Sequence, residues 1–117
     1  MPITLPENFL PSLLAELKTP NVVGITLGGS FARSQGTPLS DVDMELYVKE
    51  MPLGMADPLA MRMWQNFLVS IHYGTLDDEH GKLTRPWHAI WAVPGLRNAV
   101  ILHDEDGSIA KLKQAAL

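Results

Sequence analysis

The sequence predicts an α/β (α+β) fold, a mixed sheet of about four or five strands flanked by helices. Three observations carry that expectation. The apolar run Val22–Leu27 lacks alternation, as a strand buried on both faces does. Asp41–Val48 alternates polar with apolar residues, which puts Val42, Met44, Leu46 and Val48 on one face, the core side. Residues 7–18 place Leu10, Leu13, Leu14 and Leu17 at helical spacing, forming one apolar stripe.

Each element follows from local chemistry. Pro11 fits a helix only in its first turn, so the first helix begins near it, and Pro20-Asn21 ends it. Beyond the first strand, Gly28-Gly29-Ser30 brings the backbone close to any ligand, and Phe31–Ser34 is expected as a short helix. Gln35–Pro38 then turns the chain into the Asp41 strand, and Lys49–Gly54 is a connection. Asp57-Pro58 offers a cap followed by proline at the first helical position. A helix is expected from there to Val69, with Leu59, Met63, Trp64, Phe67 and Leu68 as core contacts. Val69–Leu76 reads as a strand, Asp77–Gly81 as an acidic turn, and Trp87–Val93 as a further strand. Val100–His103 is a short strand closed by the turn Asp104–Gly107, and Ser108 is expected to cap a last helix, Ile109–Ala116.

At 117 residues the chain is read as a single domain spanning 1–117, either compact in itself or the N-terminal part of a longer protein. A net charge of −4, with scattered basic residues, argues against a nucleic-acid partner. The absence of cysteine excludes disulfides and thiolate metal sites. No apolar stretch is long enough to span a bilayer and the N-terminus lacks the basic start of a signal peptide, so the expected location is cytoplasmic.

The chemistry concentrates between Leu27 and Val48. In a strand, Asp41 and Asp43 point the same way, and two neighbouring carboxylates repel unless a cation sits between them. Mg²⁺ is a fitting cation, because it takes oxygen ligands and is commonly held by one or two carboxylates plus substrate phosphates. Gly28-Gly29-Ser30 supplies the phosphate end, with backbone N–H groups and a hydroxyl. A following helix N-terminus adds to it, and Arg33 is the cation for a triphosphate.

This constellation resembles the signature of the DNA polymerase beta-like nucleotidyltransferase superfamily: a hydrophobic residue, Gly-Gly or Gly-Ser, a short gap, then Asp-hydrophobic-Asp in a strand. Gly29-Ser30-Phe31-Ala32-Arg33 followed by Ser40-Asp41-Val42-Asp43 is similar to the small bacterial branch, which holds the aminoglycoside and minimal nucleotidyltransferases. Ala99–Gly107 resembles a strand and turn found downstream in aminoglycoside-type members. Where members usually carry glycine, this chain has Ser34.

The resemblance implies a nucleotidyltransferase fold and Mg²⁺-dependent transfer of a nucleoside monophosphate to an acceptor hydroxyl, with ATP as the expected donor. It implies that Asp41 and Asp43 are catalytic metal ligands, and that Gly28, Gly29, Ser30, Arg33 and Ser40 bind the nucleotide phosphates. It also implies a third carboxylate on a later, adjacent strand. The expected strand, Trp87–Val93, contains no acid; Asp77, Asp78 and Glu79 fall in the acidic turn, and Asp104 is expected to be structural. His72, His80, His88 and His103 match no zinc spacing, and a packed or surface role is the reading for each, His88 as a substitute base included. Trp64, Trp87 and Trp91 are read as core rather than as stacking platforms. The acceptor is a small molecule in the first reading. The alternatives are an antitoxin-like domain that binds or AMPylates a helical partner protein, and a non-catalytic nucleotide-binding domain.

Overall fold

The structure, a computed structural model, describes residues 4–33, 36–37, 40–51, 59–84 and 96–115, with backbone alone at 59, 78, 80, 82 and 84. The Asp57-Pro58 cap and the strand expected at Trp87–Val93 lie outside the described residues. In chain order the elements are α1 (Phe9–Leu17), β1 (Val22–Gly28), α2 (Gly29–Ala32), β2 (Val42–Val48), β3 (Leu59–Trp64), β4 (Phe67–Gly74), α3 (Leu76–Thr84), β5 (Val100–Asp104) and α4 (Ser108–Ala115). The strands form one five-stranded mixed sheet in the order β3-β4-β2-β1-β5. β1 is antiparallel to β2 and β5, β4 is parallel to β2, and β3 closes one edge antiparallel to β4. This is the mixed α+β architecture that the alternation and the apolar runs predicted.

One face of the sheet holds the main core. Val42, Met44, Leu46 and Val48 of β2 are all buried there, against Ile25 and Leu27 of β1 and Val69 and Ile71 of β4. α1 covers this face with Phe9, Leu13 and Leu17, and Leu10 and Leu14 pack partly buried beside them. Each such side chain contributes about 1.5–3 kcal/mol by leaving water. Phe67 meets Phe9 and Phe31 edge to face at 5.4 and 5.9 Å, so α1, α2 and β4 share one aromatic contact. Across the same layer Trp64 Nε1 donates to Ser12 Oγ at 3.2 Å.

Among the described residues, helices cover one end of the opposite face. There Tyr47, Leu96, Ile109 and Leu112 form a second buried cluster, with Leu76 and Leu83 of α3 packed against it. Gly24 lets α4 sit close: a Cβ at this position would run into the Ile109 side chain.

Three expectations give way to the structure. No helix forms over residues 59–69; that stretch is β3, a two-residue turn and the start of β4. Gln65 and Asn66 both adopt positive φ, 48° and 70°, the turn conformation whose twist suits a tight hairpin. Ala60 and Trp64 of β3 accordingly pack on the core from one face, whereas Met61 and Met63 on the other are 54% and 62% exposed. Trp64 and Phe67 are core contacts as expected, and Met63 is not. The acidic turn at Asp77–Gly81 is instead part of α3, where Asp77 and Glu79 occupy the first turn and suit the positive end of the helix dipole. Finally, Ser108 does not cap the last helix. Asp104 does, accepting the Ile109 and Ala110 N–H groups at 3.1 and 3.0 Å, and Asp106 accepts that of Ser108 at 3.0 Å.

Candidate functional site

At the other end of the second face β1 leaves the sheet. Gly28, its last residue, pairs with Asp43 of β2, and Asp43 pairs on its other side with Ser70 of β4. One row across three strands therefore runs Gly28, Asp43, Ser70, and Met61 of β3 extends it. The chain turns at Gly29, whose φ of +66° is a left-handed conformation. A Cβ there would collide with the Asp43 carboxylate, so glycine satisfies both the turn and the close approach. α2 is a single turn starting at Gly29, and Ser30 O accepts the Arg33 N–H at 3.2 Å as it ends.

Asp41, just before β2, is exposed, whereas Asp43 is half-buried. Burial holds the Asp43 carboxyl above its ordinary value, and the Asp41 charge pushes the same way; the charges of His72 and Arg33 pull against them. Thus Asp41, Arg33 and His72 each lie close enough to act on the Asp43 charge. Ser40 has a local partner: its Oγ accepts the Thr37 N–H at 2.9 Å and lies 3.1 Å from Thr37 Oγ1, closing the turn that delivers Asp41. The structure thus brings Gly28, Gly29, Asp43, Arg33 and Asp41 together, and gives Ser40 a hydrogen bond within the preceding turn.

Further along the same face stands Glu45, opposite His72 of β4. Tyr47 follows, buried, and its hydroxyl donates to Glu45 Oε2 at 3.0 Å. Burial, then the charges of Glu45 and Glu79, hold the Tyr47 phenol far above its usual value, so it stays neutral. Glu45, Tyr47, His72, Gly74 and Glu79 line a cavity of about 130 Å³ between the sheet and α3. Glu79 is therefore no exposed turn residue; its carboxylate lies over Gly74, in the row of Tyr47. That row is roughly 13 Å along the strand from Asp43, too far to share a metal ion with it.

Both edges of β2 are taken, by β1 and β4. The later strand next to the aspartates is β4, whose sequence Phe67–Gly74 contains no acid and presents Ser70 and His72 on the Asp43 face. Among the described residues no group of three histidine or acidic side chains converges to hold a metal ion. His72, read from the sequence as a packed or surface residue, is exposed on the Asp43 face of β4. The alternation Ser70, His72, Gly74 carries that placement, which becomes visible only when β4 is known to flank β2.

A family model described as a nucleotidyltransferase domain matches residues 10–106, from α1 through β5. The chain belongs to the nucleotidyltransferase domain family. No curated protein matches it. The family places the chain in the polymerase beta-like superfamily that its glycine turn and paired aspartates resemble, and supports nucleoside monophosphate transfer as its general activity. A nucleoside triphosphate is the corresponding substrate in general terms. No described helix of this nucleotidyltransferase domain is long and apolar enough to cross a membrane.

Proposed function

We propose that this nucleotidyltransferase domain transfers AMP from ATP to a hydroxyl of a small molecule, in a Mg²⁺-dependent reaction. The observation that carries the reading is the seating of the Gly29 turn against the Asp43 carboxylate, which sets a phosphate-binding backbone beside a metal-binding acid. The donor set fits Mg²⁺. Two carboxylates whose charges repel lie near each other, and each gains by sharing a hard cation that also takes phosphate oxygens. Asp41 and Asp43 would hold the ion, which supplies charge neutralisation at the oxygens of the reacting phosphate. Gly28, Gly29 and Ser30 offer backbone N–H groups and a hydroxyl to the outer phosphates, and Arg33 adds a positive charge next to them. Ser40 supports Asp41 from the turn. Positioning of this kind supplies most of the acceleration in phosphoryl chemistry.

A second reading, a domain that binds or AMPylates a partner protein, is favoured by one feature. Edge strand β3 exposes Met61 and Met63 on the Asp43 side of the sheet, where a large acceptor could rest. The test of the common core is calorimetric titration of ATP with Mg²⁺ into the wild type and an Asp41→Ala/Asp43→Ala variant. The double variant is expected to lose affinity by about 100-fold or more, since even groups that only orient a metal's ligands are worth roughly 10–100-fold. Binding that ignores both the aspartates and Mg²⁺ would remove the proposed site. Screening small-molecule and protein acceptors for AMP transfer then separates the two readings, and binding without any transfer would assign a nucleotide-binding role.

A further inference from the structure

We propose that His72 is the general base of this domain, receiving the proton of the acceptor hydroxyl as that oxygen attacks the α-phosphorus. The inference rests on the nucleotidyltransferase reading above and deepens it on the acceptor side. In phosphoryl transfer the attacking and leaving oxygens lie roughly in line on opposite sides of the phosphorus. The Gly28–Ser30 turn lies on the β1 flank of Asp43, so the departing pyrophosphate belongs over β1 and α2. The attacking hydroxyl must then enter from the opposite flank, over β4.

The described side chains that β4 presents to this face are Leu68, Ser70 and His72. Leu68 has no polar atom. Ser70 is buried, and its hydroxyl is a poor proton acceptor. His72 is exposed, lines the cavity beside Glu45, and lies near enough to Asp43 for their charges to interact. Imidazole is the side chain suited to accept a proton near neutrality. Among the described residues the groups facing it are Asp43 and Glu45 from β2 and Glu79 from α3, and on β3 it pairs with the uncharged Leu59.

The step balances without a further reactant. The acceptor O–H bond breaks and its proton goes to a ring nitrogen of His72. The O–Pα bond forms, and the bond from Pα to the bridging oxygen breaks, its electron pair leaving with pyrophosphate.

With the natural acceptor unidentified, water serves as the acceptor: Mg²⁺ and ATP are supplied and pyrophosphate release is followed between pH 5 and 9, an assay window chosen around the imidazole range. His72→Ala and His72→Gln are compared with wild type, and binding of the α,β-methylene analogue of ATP is measured for each. The expected result is unchanged analogue binding, a rate lower by about 100-fold or more, loss of the acid limb of the pH profile, and partial rescue of His72→Ala by added imidazole. Variants that keep the rate and the acid limb overturn the proposal. So does a wild type that binds the analogue yet releases no pyrophosphate. A wild type that fails to bind the analogue with Mg²⁺ instead overturns the nucleotidyltransferase reading beneath it.

Discussion

Asp43 sits in a place that disfavours its charge. Burial raises its carboxyl above the ordinary 3.8, and the neighbouring Asp41 adds to the shift. A carboxylate raised on folding contributes stability at pH values well below 3.8, where both states hold the proton, and loses it as pH rises through the folded value. At neutral pH without metal, ionised Asp43 therefore works against the fold. An Asp43→Asn variant keeps the shape and removes the charge. In EDTA at pH 7 its melting temperature is expected to exceed that of wild type by about 2–4 °C, and the gap should close at acid pH. Equal melting temperatures at pH 7 would mean that Arg33 and His72 already compensate the charge. The same variant should lose Mg²⁺-dependent nucleotide binding, the trade between stability and activity expected where like charges are held together for function.

Among the elements, α4 shows how a short helix is fixed by residues outside it. Its first N–H groups have no partners within the helix, and Asp104 at the end of β5 takes those of Ile109 and Ala110. Asp104→Ala should cost about 0.5–2 kcal/mol in urea unfolding, the usual worth of a cap, and Ser108→Ala less. The reverse order would restore Ser108 as the cap. The same case shows what was legible in the sequence. Ser before an apolar residue is a correct generic signal, but the carboxylate of a strand five residues upstream reached the amides first. β3 and β4 escaped for a related reason. Leu59, Met63 and Phe67 recur every four residues, which satisfies a helix and a strand alike, and Gln65-Asn66 lacks the glycine that marks most tight hairpins. The closeness of the glycine turn to Asp43 was legible because residue type and strand periodicity agreed within one short stretch. The position of His72 beside them was not, since it depends on a parallel neighbour that no local pattern announces.

At the scale of the whole molecule, one sheet face does two jobs. At one end Tyr47, Ile109 and Leu112 bury it under α3 and α4; at the other, Gly28 and Asp43 are only partly buried among the described residues. If the two ends are separable, damage to the roof should lower stability without altering the site. Gly24 tests this, because its missing side chain is what lets Ile109, itself fully buried, approach the sheet. Gly24→Val forces Ile109 and the start of α4 outward, and overpacking of this kind costs about 1–3 kcal/mol. Gly28 lies four residues further along the strand, roughly 13 Å away, beyond the reach of a shift of that size. The urea midpoint is therefore expected to fall while the Mg²⁺-dependent affinity for ATP, measured where the variant is still folded, stays within twofold. An unchanged midpoint would show that Ile109 finds another rotamer without loss. A weakened affinity would show the sheet transmitting the strain, through β2 and the Tyr47–Glu45 hydrogen bond, to the aspartates.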